Sequence, residues 1–296
     1  MATDFFAQIV DQYDKLKYAL LEAQTFNPDH FGFPPLYYRI MESDPQRVGA
    51  FTRAFDQFDF TDKVVCEAGV GRLVLSQHYL SKVRRAYLIE NNPALFDFIK
   101  NWVREQKLES KVVLLFGDAR TVQLPETVDF IIGEMMSVFC ANEFQVQVFQ
   151  HLRKFLKPGG QLFPQRILNL AQLALIDDGP HKHYPINFTR HWPEVLSNFV
   201  QVDEIDLFNI HRTKHNFSVE ISPLLSGTVN AVLLRSSVEI VSGINFTGTD
   251  SLMPPTVLRL PQAITVVAGK QYLLQGNYSY GTSLDEANFS LLELKA

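Results

Sequence analysis

Cysteine is almost absent: the 296 residues hold two, Cys66 and Cys140, each inside an apolar run. Two thiols so placed make no disulfide framework, and the expected setting is a reducing one, the cytoplasm. A long apolar run is missing too. No stretch reaches the roughly 18 residues that a membrane-spanning helix needs. The opening residues, MATDFFAQIVDQYD, carry acids where a secretory leader carries bases. Basic charge is not in excess either. Lys and Arg number 27 against 32 Asp and Glu, a formal charge of −5. That balance argues against a sequence-independent nucleic-acid binder and leaves a basic protein partner electrostatically acceptable. No repeat or low-complexity tract is visible, which removes solenoids. What is present is 46% apolar and 20% charged, the balance of a globular chain with a large core. At roughly 100–200 residues per domain, the length suggests two domains.

Residues 4–24 place Phe6, Ile9, Val10, Tyr13, Leu16, Leu20 and Leu21 near helical spacing, a turn-rich stretch follows to Pro35, and 36–56 reads as a second helix. From Lys63 the period changes. Short β-rich runs at 64–66, 86–89, 112–116, 128–132 and 161–163 alternate with helix-like segments at 74–82, 93–107 and 143–156. Such alternation predicts βαβ units and a parallel sheet covered by helices. After Pro164 come segments rich in β-branched and aromatic residues at 165–176, 200–210, 216–222, 227–246 and 263–294, with one helix-like interruption near 190–199. The expected architecture is therefore α/β: an N-terminal helical segment over 1–56, a Rossmann-like sheet over 57–164, and a mostly antiparallel, β-barrel-like domain over 165–296.

The first strand runs into Glu67-Ala68-Gly69-Val70-Gly71-Arg72-Leu73. Gly69 and Gly71 let the backbone approach a cofactor at the C-terminal edge of the sheet. The second strand ends at Glu90, 90 − 71 = 19 residues beyond Gly71, and an acid there suits a ribose diol. Two cofactor readings compete. A dinucleotide fingerprint wants a third glycine at position 74, which is Val. An S-adenosylmethionine site instead wants an acid two residues before the first glycine, where Glu67 stands near the cationic end of the cofactor's amino-acid tail. Gly117-Asp118-Ala119 after the third strand supplies an acid of the kind that holds an adenine amino group in methyltransferases. Leu156-Lys157-Pro158-Gly159-Gly160 then makes the usual turn of that fold. Their order favours S-adenosylmethionine over NAD.

Gly133-Glu134 through Asn142-Glu143 resembles the double-glutamate hairpin of protein arginine methyltransferases, with two Glu nine positions apart (143 − 134 = 9) after a buried strand. His30-Phe31-Gly32 and Met41-Glu42-Ser43-Asp44-Pro45-Gln46-Arg47 resemble the segment that folds over the cofactor in that family, with a longer stretch between the two motifs. The resemblance is clear over 29–164 and weaker beyond. It implies a cofactor domain followed by a β-barrel, Arg47 gripping the cofactor carboxylate, and a homodimer built by an arm at 177–199. It further implies methyl transfer to a cationic nitrogen held by Glu134 and Glu143, most simply a protein arginine. Paired carboxylates accept a guanidinium's several donors, cancel its charge and can take the departing proton. Blander readings stand beside these: Arg47 paired with Asp44 at i, i+3, Glu143 as an ordinary acid at a helix start, and His30 as a turn cap.

The chain also departs from the family. Leu73 stands where the family has its third glycine. Thr256-Val257-Leu258 occupies the place of the Thr-His-Trp loop without its His or Trp. The N-terminal aromatic motif is not cleanly present, with Tyr37 and Tyr38 in the lengthened stretch. These losses fall on the acceptor side, so a small-molecule nitrogen acceptor, or a cofactor-binding relative without catalysis, stays open. The pairs His181-x-His183 and His211-x-x-x-His215 lack a supporting Cys or acid cluster, and no metal site is expected.

Overall fold

The computed structural model describes residues 42–176, 181–186, 192–248 and 253–294. Five of the short apolar runs become β1 (Val64–Ala68), β2 (Arg85–Glu90), β3 (Val112–Phe116), β4 (Val128–Gly133) and β5 (Leu156–Phe163). All pair in parallel in the order β3-β2-β1-β4-β5. The chain builds outward from β1 to β3, then returns to β1's other side for β4, so the order reverses between β1 and β4. Open α/β sheets bind their ligands outside the strand ends at such a reversal. β1 is buried along its whole length, including Glu67, as a central strand covered on both faces must be.

Helix α1 (Pro45–Phe55) starts where the sequence gives a cap and a proline: Asp44 Oδ1 accepts from the backbone N–H of Gln46 at 3.0 Å and of Arg47 at 3.2 Å. Its Phe51 and Phe55 enter an aromatic cluster with Phe60, Tyr79, Phe130 and Phe163. Helix α2 (Pro93–Glu105) is capped in the same way by Asn92, and α3 (Gln145–Leu152) follows the segment after β4.

The second half is built from antiparallel pairs. β6 (Arg166–Leu175), β7 (His183–Pro185), β8 (Glu194–Val195), β9 (Val200–Asp206), β11 (Gly227–Val241), β12 (Ile244–Thr247) and β13 (Thr256–Val266) form one sheet along β7-β13-β11-β6-β8, with β12 on β11 and β9 on β6. β10 (Lys214–Ile221), β14 (Tyr272–Ser279) and β15 (Asn288–Glu293) form another. β10 packs on β9, β15 on β13, and α1 on β12, so one apolar core runs through both halves. This is the expected α/β sheet followed by a β-barrel-like domain.

Three local expectations are corrected. Residues 74–82 hold only a 3-10 turn, Ser76–His78. Leu73 adopts φ 68°, which no α-helix tolerates, and Ser76 and Tyr79 turn their hydroxyls onto buried Glu67. The segment 143–156 is α-helical from Gln145 to Leu152 and closes in a 3-10 turn over Arg153–Phe155, because β5 begins at Leu156. Near 190–199, the described residues from Trp192 on carry the short strand β8 and a bridge from Ser197 to Pro223 instead of a helix. Backbone pairing with β6 there outweighs a weak helical period. The expected helix at 4–24 lies outside the described residues, as does the first part of that at 36–56.

Candidate active site

The site grows from the ends of β1, β2 and β4. After β1 the chain turns through Gly69 (φ 67°) and Gly71 (φ 57°), left-handed conformations that suit glycine. A Cβ on Gly71 would meet nothing within 4 Å, so its backbone fronts open space. Gly69 is tighter: a Cβ there would lie 3.0 Å from Met135 Cγ. Leu73 is left-handed at φ 68° with a fully buried side chain. The backbone therefore keeps the bend that a third glycine would make, and the apolar side chain anchors it.

Two buried carboxylates flank this loop. Glu67 is 2% exposed; its Oε2 accepts from Ser76 Oγ at 2.6 Å and from the Tyr79 hydroxyl. Burial pushes its pKa up to about 7 against the opposing pull of those two bonds, and Glu90's charge adds to the rise. Glu90 turns back over the loop. Its Oε2 accepts from Gly71 N–H at 3.0 Å, while Oε1 accepts from the N–H groups of Asn91 and Asn92, each at 2.9 Å. Three of the roughly four acceptor positions of a carboxylate are filled, which leaves Oε2 one position for a ribose hydroxyl. Burial holds Glu90 above the usual carboxylate range despite these bonds.

Asp118 is placed differently from its expected role. Oδ1 accepts from Arg120 N at 2.8 Å and Nε at 3.0 Å, and Oδ2 from Nε at 2.9 Å and Nη2 at 2.6 Å. The same guanidinium stacks 3.9 Å above the Phe144 ring. Arg120 holds Asp118 below the ordinary aspartate range and occupies its acceptor positions. An adenine amino group reaches Asp118 only once Arg120 swings aside.

Glu134 follows β4 directly, and the segment returns through a tight, non-helical turn at Val138–Cys140 to Glu143 and α3. Buried Gln145 ties the base of this hairpin: its Oε1 accepts from Met135 N–H at 2.9 Å and its Nε2 donates to Gly133 O at 3.0 Å. Glu134 Oε2 accepts from Arg47 Nη1 at 2.8 Å. Its Oε1 is buried with no hydrogen-bond partner among the described residues. Glu143 is pushed up to about 8, first by burial and then by the charge of Glu134, with Arg47 pulling the other way. The two glutamates and Arg47 thus share one electrostatic site. Arg47 is 4% exposed, lies 3.8 Å (Nε) from Asp44 and sits 5.8 Å over the Phe246 ring of β12. The i, i+3 pair with Asp44 therefore exists, inside the protein and beside the contact to Glu134.

The structure brings Arg47, Glu134 and Glu143 together at the β4 end, and Glu67, Gly69, Gly71 and Glu90 around the loop after β1. Sequence reasoning missed Ser76, Tyr79, Gln145, Arg120 and Phe246, whose roles depend on what they meet in space. The histidines go elsewhere: His183 Nδ1 lies 3.0 Å from Asp285 Oδ1, His211 Nδ1 accepts from Arg153 Nη2 at 3.1 Å, and His215 Nε2 lies 2.8 Å from Val202 O. Among the described residues no group of three or more His, Cys, Asp or Glu is placed to hold a metal, and no helix is long and apolar enough to cross a membrane. The motif at His30-Phe31-Gly32 and Tyr37, Tyr38 and Met41 lie outside the described residues.

Residues 52–157 match the TRM5/TYW2 methyltransferase domain. The histone-arginine methyltransferase CARMER of Drosophila ananassae is 32% identical over 127 residues, which is 42% of this chain and 24% of that protein. An uncharacterized protein of Methanocaldococcus jannaschii is 24% identical over 234 residues, 78% of this chain and 88% of that one. The chain spans about a quarter of the length of the CARMER relatives it matches. Among solved structures, the Trypanosoma brucei PRMT1 enzyme-prozyme heterotetrameric complex with AdoHcy superposes with a TM-score of 0.70 at 15% identity, covering 88% of this chain and 98% of that one. Arabidopsis thaliana protein arginine methyltransferase 10, in an open conformation, gives 0.69 at 15% identity, with 88% and 98% covered. The fold is that of these arginine methyltransferase structures, a Rossmann-like sheet followed by a β-barrel-like domain, and residues 52–157 are similar to a methyltransferase domain. In part of its sequence and in its fold the chain resembles arginine methyltransferases, at low identity.

Proposed function

We propose that this chain transfers a methyl group from S-adenosylmethionine to a cationic nitrogen, most simply the guanidinium of a protein arginine. The observation that carries this is the convergence of Glu134 and Glu143 at the β4 end, with Glu134 Oε1 buried and unpartnered. A buried carboxylate oxygen left without a donor is costly, and a guanidinium is the group whose forked N–H donors suit it. Glu134 would hold the acceptor, and Glu143 would take the proton that its nitrogen gives up. Bound S-adenosylmethionine would supply a sulfonium methyl, which the nitrogen lone pair would take as the sulfur–carbon bond breaks and the sulfur leaves neutral. Glu90 and the backbone at Gly69 and Gly71 fit the ribose side. Glu67 fits the amino-acid tail, and Asp118 the adenine once Arg120 moves. Arg47, which meets Glu134 at 2.8 Å, would hold the cofactor carboxylate. The buried, unpaired Cys66 and Cys140 support a reducing, cytoplasmic setting as part of the same reading.

A small-molecule nitrogen acceptor is the second reading, favoured by Thr256-Val257-Leu258 standing without His or Trp and by Arg47 already holding half of Glu134. Labelled methyl cofactor in host extract, before and after removal of macromolecules, separates the two. Label in protein arginine that disappears in Glu134→Gln supports the first reading. Label confined to the small-molecule fraction supports the second, and undiminished transfer by Glu134→Gln sinks the role of the pair. Cofactor binding with no transfer to any fraction marks a binding-only relative.

A homodimer belongs to the same proposal. Trp192 is 79% exposed and Val195 42%, and Leu224 and Leu225, whose N–H groups both donate to Leu196 O, are also exposed. Such an apolar surface beside the segment that resembles the dimerisation arm suits a second copy. Sedimentation as a monomer at micromolar concentration would remove it.

A further inference from the structure

The tip of the double-glutamate hairpin is left-handed at three non-glycine residues, Phe139 (φ 63°), Cys140 (φ 51°) and Asn142 (φ 62°). L side chains disfavour this region, so such a cluster persists only where surrounding structure imposes it. The imposing groups all come from the β domain. Phe139 N–H donates to Ser236 Oγ at 2.8 Å, Ser236 Oγ donates to Asn169 Oδ1 at 2.6 Å, and Asn169 Nδ2 donates to the Tyr278 hydroxyl at 2.8 Å. Tyr278 in turn donates to Asp203 Oδ2. Every member is buried, and Asp203 is balanced by Arg212 Nη2 at 2.6 Å and the Tyr280 hydroxyl at 2.8 Å. All the donors point one way, toward an anion, so each bond polarises the next. Beside this chain, Gly281 N–H donates to Cys140 O at 2.7 Å, Asn142 N–H to Thr282 O at 3.1 Å, and the Phe139 ring packs 4.9 Å from Tyr278.

We infer that Ser236, Asn169, Tyr278 and Asp203 are positioning residues. Through the Phe139 amide they hold the hairpin tip so that Glu134 and Glu143 stay converged on one acceptor. The inference rests on reading those glutamates as the acceptor-holding pair. Gln145 fixes only the base of the hairpin; at the tip, Phe139, Cys140 and Asn142 bond to β11 and the turn after β14, and the Phe139 ring packs on β14 and β15. Ser236→Ala removes the acceptor of the Phe139 amide. Tyr278→Phe cuts the chain two links further on while keeping the ring against Phe139, and serves if Ser236→Ala fails to fold.

The test reads the pair directly. Glutamate carboxylates are labelled with carbon-13 and titrated by NMR, with the Glu143 signal assigned from Glu143→Gln. A Glu143 that drifts from Glu134 loses a like-charge neighbour, so its titration should move down by about half a unit to one unit in both variants. Val229→Ala, a cavity in β11 outside the chain, should leave it in place, and affinity for S-adenosylhomocysteine by calorimetry should change less than about twofold in all three. An unmoved Glu143, an equal shift in Val229→Ala, or a parallel loss of cofactor-product affinity would each overturn the positioning role. Failure of the wild type to methylate anything would remove the proposed function and leave this titration readable.

Discussion

Binding of the acceptor should expel a proton. Before binding, the site holds Arg47 as a cation, Glu134 as an anion, and Glu143 with its pKa pushed up to about 8. At pH 7 such a group is roughly nine-tenths protonated. A guanidinium adds one positive charge within contact of Glu143, and an opposite charge at that range lowers a carboxyl pKa by about 1–3 units. With the pKa brought to between about 5 and 7, between roughly 0.4 and 0.9 of a proton leaves per acceptor bound. Glu143 is then left ionised, the state in which it can accept the nitrogen's proton during transfer. Calorimetric titration of an arginine-containing peptide into the protein with S-adenosylhomocysteine, in buffers of low and high ionisation enthalpy, measures this number as the slope of observed heat against buffer enthalpy. The slope should vanish in Glu143→Gln and shrink toward zero by about pH 9.5. A zero slope at pH 7 in a wild type that binds the peptide, or the same slope without the Glu143 carboxyl, would refute the charge argument.

Leu73→Gly should be more stable than Leu73→Ala, the reverse of the usual order, because φ 68° costs an L side chain about 1–2 kcal/mol and glycine nothing. Denaturant midpoints of the two variants check the sign. Gly69→Ala adds a Cβ 3.0 Å from Met135 Cγ on top of the left-handed strain that Gly71→Ala meets alone. It should cost more than Gly71→Ala in both stability and S-adenosylhomocysteine affinity, measured by denaturation and calorimetry. Arg120→Ala should tighten cofactor binding by up to about fivefold, since opening a pair as exposed as Arg120–Asp118 costs up to about 1 kcal/mol; weaker binding would deny Asp118 its adenine role. Glu67 and Glu143 have folded pKa values raised above 4.5, so their contribution to stability is complete below that pH and is lost as pH rises through about 7 and about 8. Glu67→Gln should accordingly flatten the fall in melting temperature between about pH 5 and 8.

The alternation of strands with helices, the helix from 93 and the glycine loop were legible because their causes are local. Asp44-Pro45 and Asn92-Pro93 each carry a cap and a first-turn proline side by side, and both helices begin there. The two glycines adopt the left-handed angles for which their residue type is suited. Where a local signal met a distant demand, the distant demand won. The helical period over 74–82 yields to a 3-10 turn because Glu67, buried within β1, draws in the hydroxyls of Ser76 and Tyr79. A buried carboxylate without donors costs more than one short helix contributes.

The same contrast separates the two sides of the site. On the cofactor side, partners lie close in sequence: Glu67 meets Ser76 and Tyr79 nine and twelve residues on, and Glu90 meets Gly71 nineteen residues back. On the acceptor side, Arg47 reaches Glu134 across 87 residues, Phe139 reaches Ser236 across 97, and Asn169 reaches Tyr278 across 109. No motif spacing encodes such pairs, and a hydroxyl at Ser236 or an amide at Asn169 is unremarkable in a strand. What the sequence carried about the acceptor was charge type, two glutamates and an arginine. Their mutual geometry is set by the β domain, so substitutions far from the glutamates in sequence should alter acceptor handling while leaving the glycine loop and its cofactor contacts as they are.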